Sequence, residues 1–191
     1  MCTSSEKNAS KSGHEVTLKD RPQRGPPNAR VTIVEFSDFE CLPCATSQSV
    51  IKQIFETYDE KIRLVFMNFP KREIHPNSQK AAEAARCAFE EGKFWEYHDI
   101  LFENQGDLGI SSLKRYARKV GLGDKFDSLL ESGRYKEYIE KDISEGISLG
   151  VNRVPTFFVN GTKVVGAKPF SLFIKMIDEE LKNVGVMGDD R

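Results

Sequence analysis

Cysteine is scarce in this 191-residue chain, which holds four: Cys2, Cys41, Cys44 and Cys87. Thiols so few and so unevenly spaced cannot staple a small disulfide scaffold, so a close pair among them is chemistry rather than reinforcement. Long apolar runs are missing as well, and none reaches the ~18 residues of a membrane span. Charge of either sign is not in excess: 28 Lys and Arg stand against 29 Asp and Glu, a net charge of −1. That balance, with the charges interspersed, gives no bulk electrostatic reason to expect nucleic acid or an anionic membrane as a partner. Histidine is rare too, at His14, His75 and His98. Neither these nor Cys2 and Cys87 make a second paired spacing, and a structural zinc needs about four protein ligands. No metal and no cofactor is therefore expected.

What the chain does contain is organised around Val31 to Tyr58. Val31–Ser37 is nearly all apolar or β-branched, as in a strand covered on both faces, with Glu35 as the interruption. Cys41-Leu42-Pro43-Cys44 follows. Val50, Ile51, Ile54, Phe55 and Tyr58 then fall on one helical stripe. The cysteine pair thus sits at a helix start, where unpaired N–H groups and the positive end of the helix dipole favour a thiolate. With two residues between them the cysteines can close a small disulfide ring. One sulfur at the exposed helix tip would attack while the other resolves the mixed disulfide. Glu35 has two readings, a buried carboxylate of raised pKa able to relay a proton to Cys44, or a side chain turned to solvent.

A second apolar run, Ile62–Phe69, ends at Pro70 and completes a βαβ unit. From Asn77 to Gly150 the pattern is helical only. Asn77 or Ser78 can cap an alanine-rich helix ending at Gly92, and a second helix carries Phe94, Trp95, His98, Leu101 and Phe102. Ser111 or Ser112 opens a third, Asp124 a fourth, and Tyr135 to Leu149 makes a fifth. Cys87, among alanines, reads as a small buried hydrophobe. His75 and His98 carry no signal that promotes either to catalysis. Strands return at Thr156–Val159 and Thr162–Val165, joined by Asn160-Gly161 as a two-residue hairpin turn. Val154-Pro155 stands just before them, and an X-Pro bond can be cis where others almost never are. A last helix begins at Pro169 and is expected to end at Gly185, with a disordered tail from Val186.

FSDFECLPC and VPTFFVNG, separated by a helical block containing AAEAARCAFEEGKFWEYHDILFE, resemble the DsbA-like branch of the thioredoxin superfamily over roughly Pro26 to Gly185. The resemblance implies an α/β thioredoxin fold, a central mixed β-sheet flanked by helices, with an inserted helical subdomain. The expected divisions are a flexible leader and linker (1–29), the N-terminal part of the fold (30–76), the inserted subdomain (77–150), the C-terminal part (151–185) and a tail (186–191). Glu15–Leu18 is a possible edge strand in the leader. By the same resemblance Cys41 is the exposed nucleophile, Cys44 the buried resolving cysteine and Glu35 the acid beneath the disulfide. Pro155 would be the cis-proline, and Val154 would offer backbone hydrogen bonds to an extended substrate, with Leu42 and Pro43 beside it.

The implied function is an exported, monomeric protein thiol–disulfide oxidoreductase acting on protein thiols and disulfides outside the cytoplasm, with a membrane redox partner that re-oxidises or reduces it. Met1-Cys2 ahead of a polar segment leaves two readings, an incidental thiol or a lipid anchor at Cys2. The sequence departs from many relatives at Leu42-Pro43, which lacks a histidine. That points to a couple less oxidising than the strongest oxidase, within about −270 to −120 mV. The alternatives are a reductase or isomerase, and a non-catalytic peptide-binding module that uses the groove beside Pro155.

Overall fold

The computed structural model describes residues 20–186. Five strands form one mixed sheet: β1 (Gln23–Arg24), β2 (Val31–Ser37), β3 (Ile62–Asn68), β4 (Thr156–Val159) and β5 (Thr162–Val165), in the order β1-β3-β2-β4-β5. β2 and β3 run parallel, with Val31 opposite Ile62 and Ser37 opposite Asn68; the other pairings are antiparallel. Helix α1 (Leu42–Tyr58) is the crossover between β2 and β3. Five helices, α2 (Ser78–Glu90), α3 (Phe94–Glu103), α4 (Ile110–Lys119), α5 (Asp124–Ser132) and α6 (Lys136–Ser148), separate β3 from β4, and α7 (Phe170–Val186) follows the hairpin.

Every residue of β2 and β3 is buried, so alternation along them serves two cores rather than one core and solvent. On one face Val31, Ile33, Leu64 and Phe157 meet Ile51 and Ile54 of α1 and Phe173 and Ile177 of α7. On the other, Val34, Phe36, Val65 and Met67 pack with Phe69, Val151 and Phe158. Helix α6 comes close to this second face through Gly146, where an added Cβ would lie 2.7 Å from the Phe69 ring. A third core joins α2–α5 to the end of β2, and it includes Phe39, Cys41, Cys44 and Phe66. The cysteine pair therefore sits at the seam between sheet and helical block.

Three expectations need correction. The part of the expected linker that is described is not loose: β1 pairs with β3, the Phe66 N–H donates to the Pro22 carbonyl at 3.0 Å, and Arg21 forms an ion pair with buried Asp142 at 2.9 Å. Backbone pairing and one buried charge hold this segment, and neither leaves an apolar pattern in the sequence. Gly25 lets it approach β3: its φ is +95°, and a Cβ there would meet the Ile62 carbonyl oxygen at 2.3 Å. The last helix passes through Gly185 to Val186, since a helical glycine costs about 1 kcal/mol relative to alanine and does not forbid the turn. Asn77 stands before α2, but its side chain makes no cap bond; it is turned to Glu40 instead. Cys2, Glu15–Leu18 and the tail beyond 186 lie outside the described residues.

Candidate active site

Strand β2 delivers the chain to Ser37, and a short loop turns it into α1 with Cys41 at the N-cap. The Cys41 N–H donates to the Asp38 carbonyl at 3.1 Å, and the Cys41 carbonyl accepts from the N–H groups of Cys44 and Ala45 at 3.0 and 3.1 Å. Pro43 fits the first turn, where a missing N–H breaks no helical bond. No side-chain oxygen caps this helix, so its first N–H groups are left to act on the sulfurs.

The two thiols are unbonded and chemically unlike. A hydrogen bond from the Cys44 thiol holds the pKa of Cys41 below the ordinary cysteine value, ahead of the opposing effect of burial. Burial pushes Cys44 strongly the other way. Leu42 and Pro43 are exposed, Leu42 at 71%, but Cys41 is not the open helix tip the sequence suggested: it is 5% exposed. Val154 covers it, and the Cys41 thiol donates to the Val154 carbonyl at 3.7 Å. The Val154–Pro155 peptide bond is cis. A segment 113 residues along the chain is thus brought against the first sulfur of the pair.

Glu35 is fully buried between Phe66 of β3 and Phe157 of β4. One carboxyl oxygen accepts from Gln48 Nε2 at 2.9 Å, and the same amide reaches the Cys44 carbonyl at 3.3 Å. Desolvation pushes this carboxyl up to about 7 against hydrogen bonding by Ser37 and Gln48. An acid that exchanges its proton near neutrality therefore shares the Ser37 hydroxyl with the buried thiol of Cys44.

The remaining framework was not read from the sequence. Gln105 Nε2 donates to the carbonyls of Phe39 and Cys41 at 2.7 and 2.9 Å. Glu40 accepts from the backbone and side chain of Asn77 at 2.7 and 2.8 Å. Buried Asp38 accepts from the Lys71 N–H at 2.7 Å and contacts His75 Nδ1 at 2.8 Å. These pairings span 33 to 66 residues and follow no local pattern. The spacing of Gln48, one turn after Cys44 on the same helical face, was the one available signal. His98, by contrast, is enclosed by Phe39, Phe66, Phe94, Trp95 and Phe102, with its Nδ1 on Asp99. Cys87 is fully buried, its thiol pushed up to about 12 by desolvation, and packs as the small hydrophobe expected.

A family model described as Thioredoxin matches residues 17–179. Among solved structures, a thioredoxin-like oxidoreductase from Silicibacter pomeroyi is 28% identical, covering 86% of this chain and 94% of that one with a TM-score of 0.78. BdbD from Bacillus subtilis, in its oxidised form, is 26% identical, covering 86% and 95% with a TM-score of 0.78. A curated protein named Na(+)/H(+) antiporter NhaA 3, from Salinispora tropica, is 39% identical over 141 residues. That match takes in 73% of this chain, which spans 22% of the length of that relative. Among the described residues no helix is long and apolar enough to cross a membrane. With most of its length matched by that model and its fold shared with those solved structures, the chain belongs to the thioredoxin family, in its DsbA-like branch.

Proposed function

We propose that this chain is an exported protein thiol–disulfide oxidoreductase that works through Cys41 and Cys44. The observation that carries the reading is the pair's opposed acidity at a helix start facing Val154: one sulfur is made a good thiolate, its neighbour is made to hold a proton. In the oxidising direction a substrate thiolate attacks Cys41 Sγ and the Cys41–Cys44 bond breaks. Cys44 leaves with the electron pair and takes up a proton, for which buried Glu35, whose carboxyl shares the Ser37 hydroxyl with the Cys44 thiol, is the store. A second substrate thiolate then attacks the substrate sulfur of the mixed disulfide, and Cys41 leaves as thiolate. Two substrate thiols become one disulfide, and the cysteine pair ends reduced. The reverse sequence makes the chain a reductase or isomerase.

Substrates are extended protein segments that lie along Val154, against exposed Leu42 and Pro43, in the manner of an added strand. Since Cys41 is nearly covered, such a segment must displace the Val154 contact before it reaches the sulfur. The chain acts as a monomer beside a membrane redox partner on the extracytoplasmic side. Its likeness to a stretch of proteins named as antiporters supports a place at a membrane. A lipid anchor at Cys2 would fit the same location. Labelling of Cys41 in intact cells by a membrane-impermeant maleimide tests that location, and protection until lysis argues against it.

Insulin reduction and oxidation of a reduced, unfolded protein, each with the wild type and with Cys41→Ser, test the chemistry. The expected result is loss of both activities in the variant. Equal activity in the two proteins would leave only a peptide-binding module.

A further inference from the structure

Leu42-Pro43 puts no cation between the two cysteines, yet the structure ties an ionisable ring to the same loop from another part of the chain. Asp38 lies one residue past β2, and its carboxylate is 1% exposed. One oxygen accepts from the Glu40 N–H at 2.8 Å; the other accepts from the Lys71 N–H at 2.7 Å and meets His75 Nδ1 at 2.8 Å. The Asp38 carbonyl also receives the Cys41 N–H. One residue thus touches the reacting cysteine with its main chain and the histidine with its side chain.

The histidine is held from several directions. Its N–H donates to the Lys71 carbonyl at 2.9 Å, its own carbonyl accepts from Ser78 Oγ at 2.8 Å, and Asn77, two residues on, is clamped to Glu40. The ring is half-sheltered, with 22% of the side chain exposed. Of the other charges on its loop, Arg72 is paired with Glu140 of α6, Lys71 lies over the Phe69 ring, and Glu73 is exposed to solvent.

A buried carboxylate near a sulfur opposes a thiolate, and an imidazolium placed on that carboxylate cancels the effect while adding a positive charge on the same side. Screening by salt is weak in such a partly buried setting. We propose that His75, fixed by Asp38, is a positioning residue whose ring, when protonated, supplies from the loop between β3 and α2 the cation missing from the CxxC dipeptide. It thereby sets the thiolate fraction of Cys41 and the ease with which the Cys41–Cys44 disulfide is reduced. The opposing directions in which Asp38 and His75 act on Cys41 agree with this arrangement. The role rests on Cys41 being the exchanging sulfur.

The test compares wild type with His75→Ala, His75→Lys and the double variant His75→Ala/Asp38→Asn. Two quantities are read: the pH dependence of Cys41 alkylation by iodoacetamide, and the equilibrium in which the protein disulfide plus two glutathione thiols gives the dithiol plus glutathione disulfide. His75→Ala should lower the Cys41 thiolate fraction at pH 7 by at least about threefold and shift the glutathione equilibrium towards the oxidised protein. His75→Lys should restore both, and removing the Asp38 charge in the double variant should restore them in part. An unchanged alkylation profile in His75→Ala, or a double variant worse than the single, would overturn the proposal. If His75→Ala does not fold, wild-type values in a folded His75→Gln would overturn it equally. Alkylation reads the charge on Cys41 whether or not protein substrates are exchanged, so failure of the oxidoreductase reading would be seen separately as a wild type that alkylates at Cys41 but turns over no disulfide.

Discussion

Glu35 carries an energetic cost that its position explains. Its carboxyl, raised from 4.5 to about 7 by burial, keeps a proton in the folded state that the unfolded chain releases. Stability from this group is therefore greatest below about pH 4.5 and falls as pH rises to 7. Above that the cost is complete, about 3 kcal/mol at 1.36 kcal/mol per pH unit. Glu35→Gln should flatten this slope and raise stability at pH 8, as urea unfolding at pH 5 and pH 8 would record. The same variant should slow disulfide exchange by at least about tenfold, because Cys44 loses the buried carboxyl that can give it a proton. A variant that gained stability without losing rate would reduce Glu35 to a buried polar residue. Its burial was legible from the apolar residues on both sides of it in β2. The covering of Cys41 was not, because the Val154 carbonyl that shields the sulfur comes from 113 residues away.

Among the elements, α1, β2, β3 and the β4–β5 hairpin follow from periodicity and turn chemistry, since each has either a continuous apolar run, a helical stripe or an Asn-Gly turn. Strand β1 could not be read, for Gln23 and Arg24 carry no apolar pattern and their pairing with β3 is made by the main chain. What ties this segment down is Arg21. Its guanidinium is 8% exposed, lies 2.9 Å from fully buried Asp142 of α6, and donates to the Tyr138 hydroxyl at 2.6 Å. Burial pushes Asp142 up to about 6 even against that cation. Arg21→Ala would leave the carboxylate without its cation in the core, a loss of about 3 kcal/mol or more at pH 8. The loss should shrink at pH 5, where Asp142 takes up a proton. Urea midpoints at the two pH values distinguish this from a loss of packing, which would cost the same at both. The framework around the cysteines escaped the sequence for a related reason. Asp38, His75, Asn77 and Gln105 are joined across loops whose composition encodes no partner, and only folding brings them to one place.

At the scale of the whole molecule, the sheet supplies rigidity and the seam with the helical block supplies the chemistry. Helix α1 brings both sulfurs to that seam, β2 brings Glu35 beneath them, and the segment before β4 brings Val154 and Pro155 across the top. The helical block contributes Gln105 and the apolar wall of the third core. This arrangement predicts that Cys41 alone bonds to a substrate and that Cys44 releases it. The most direct measurement uses Cys44→Ala, mixed with a reduced, unfolded protein whose thiols have been activated as mixed disulfides, followed by mass spectrometry of the trapped species. The account predicts a long-lived adduct joined through Cys41, absent from Cys41→Ala and short-lived in the wild type. An adduct through another cysteine, or one equally abundant in Cys41→Ala, would contradict it.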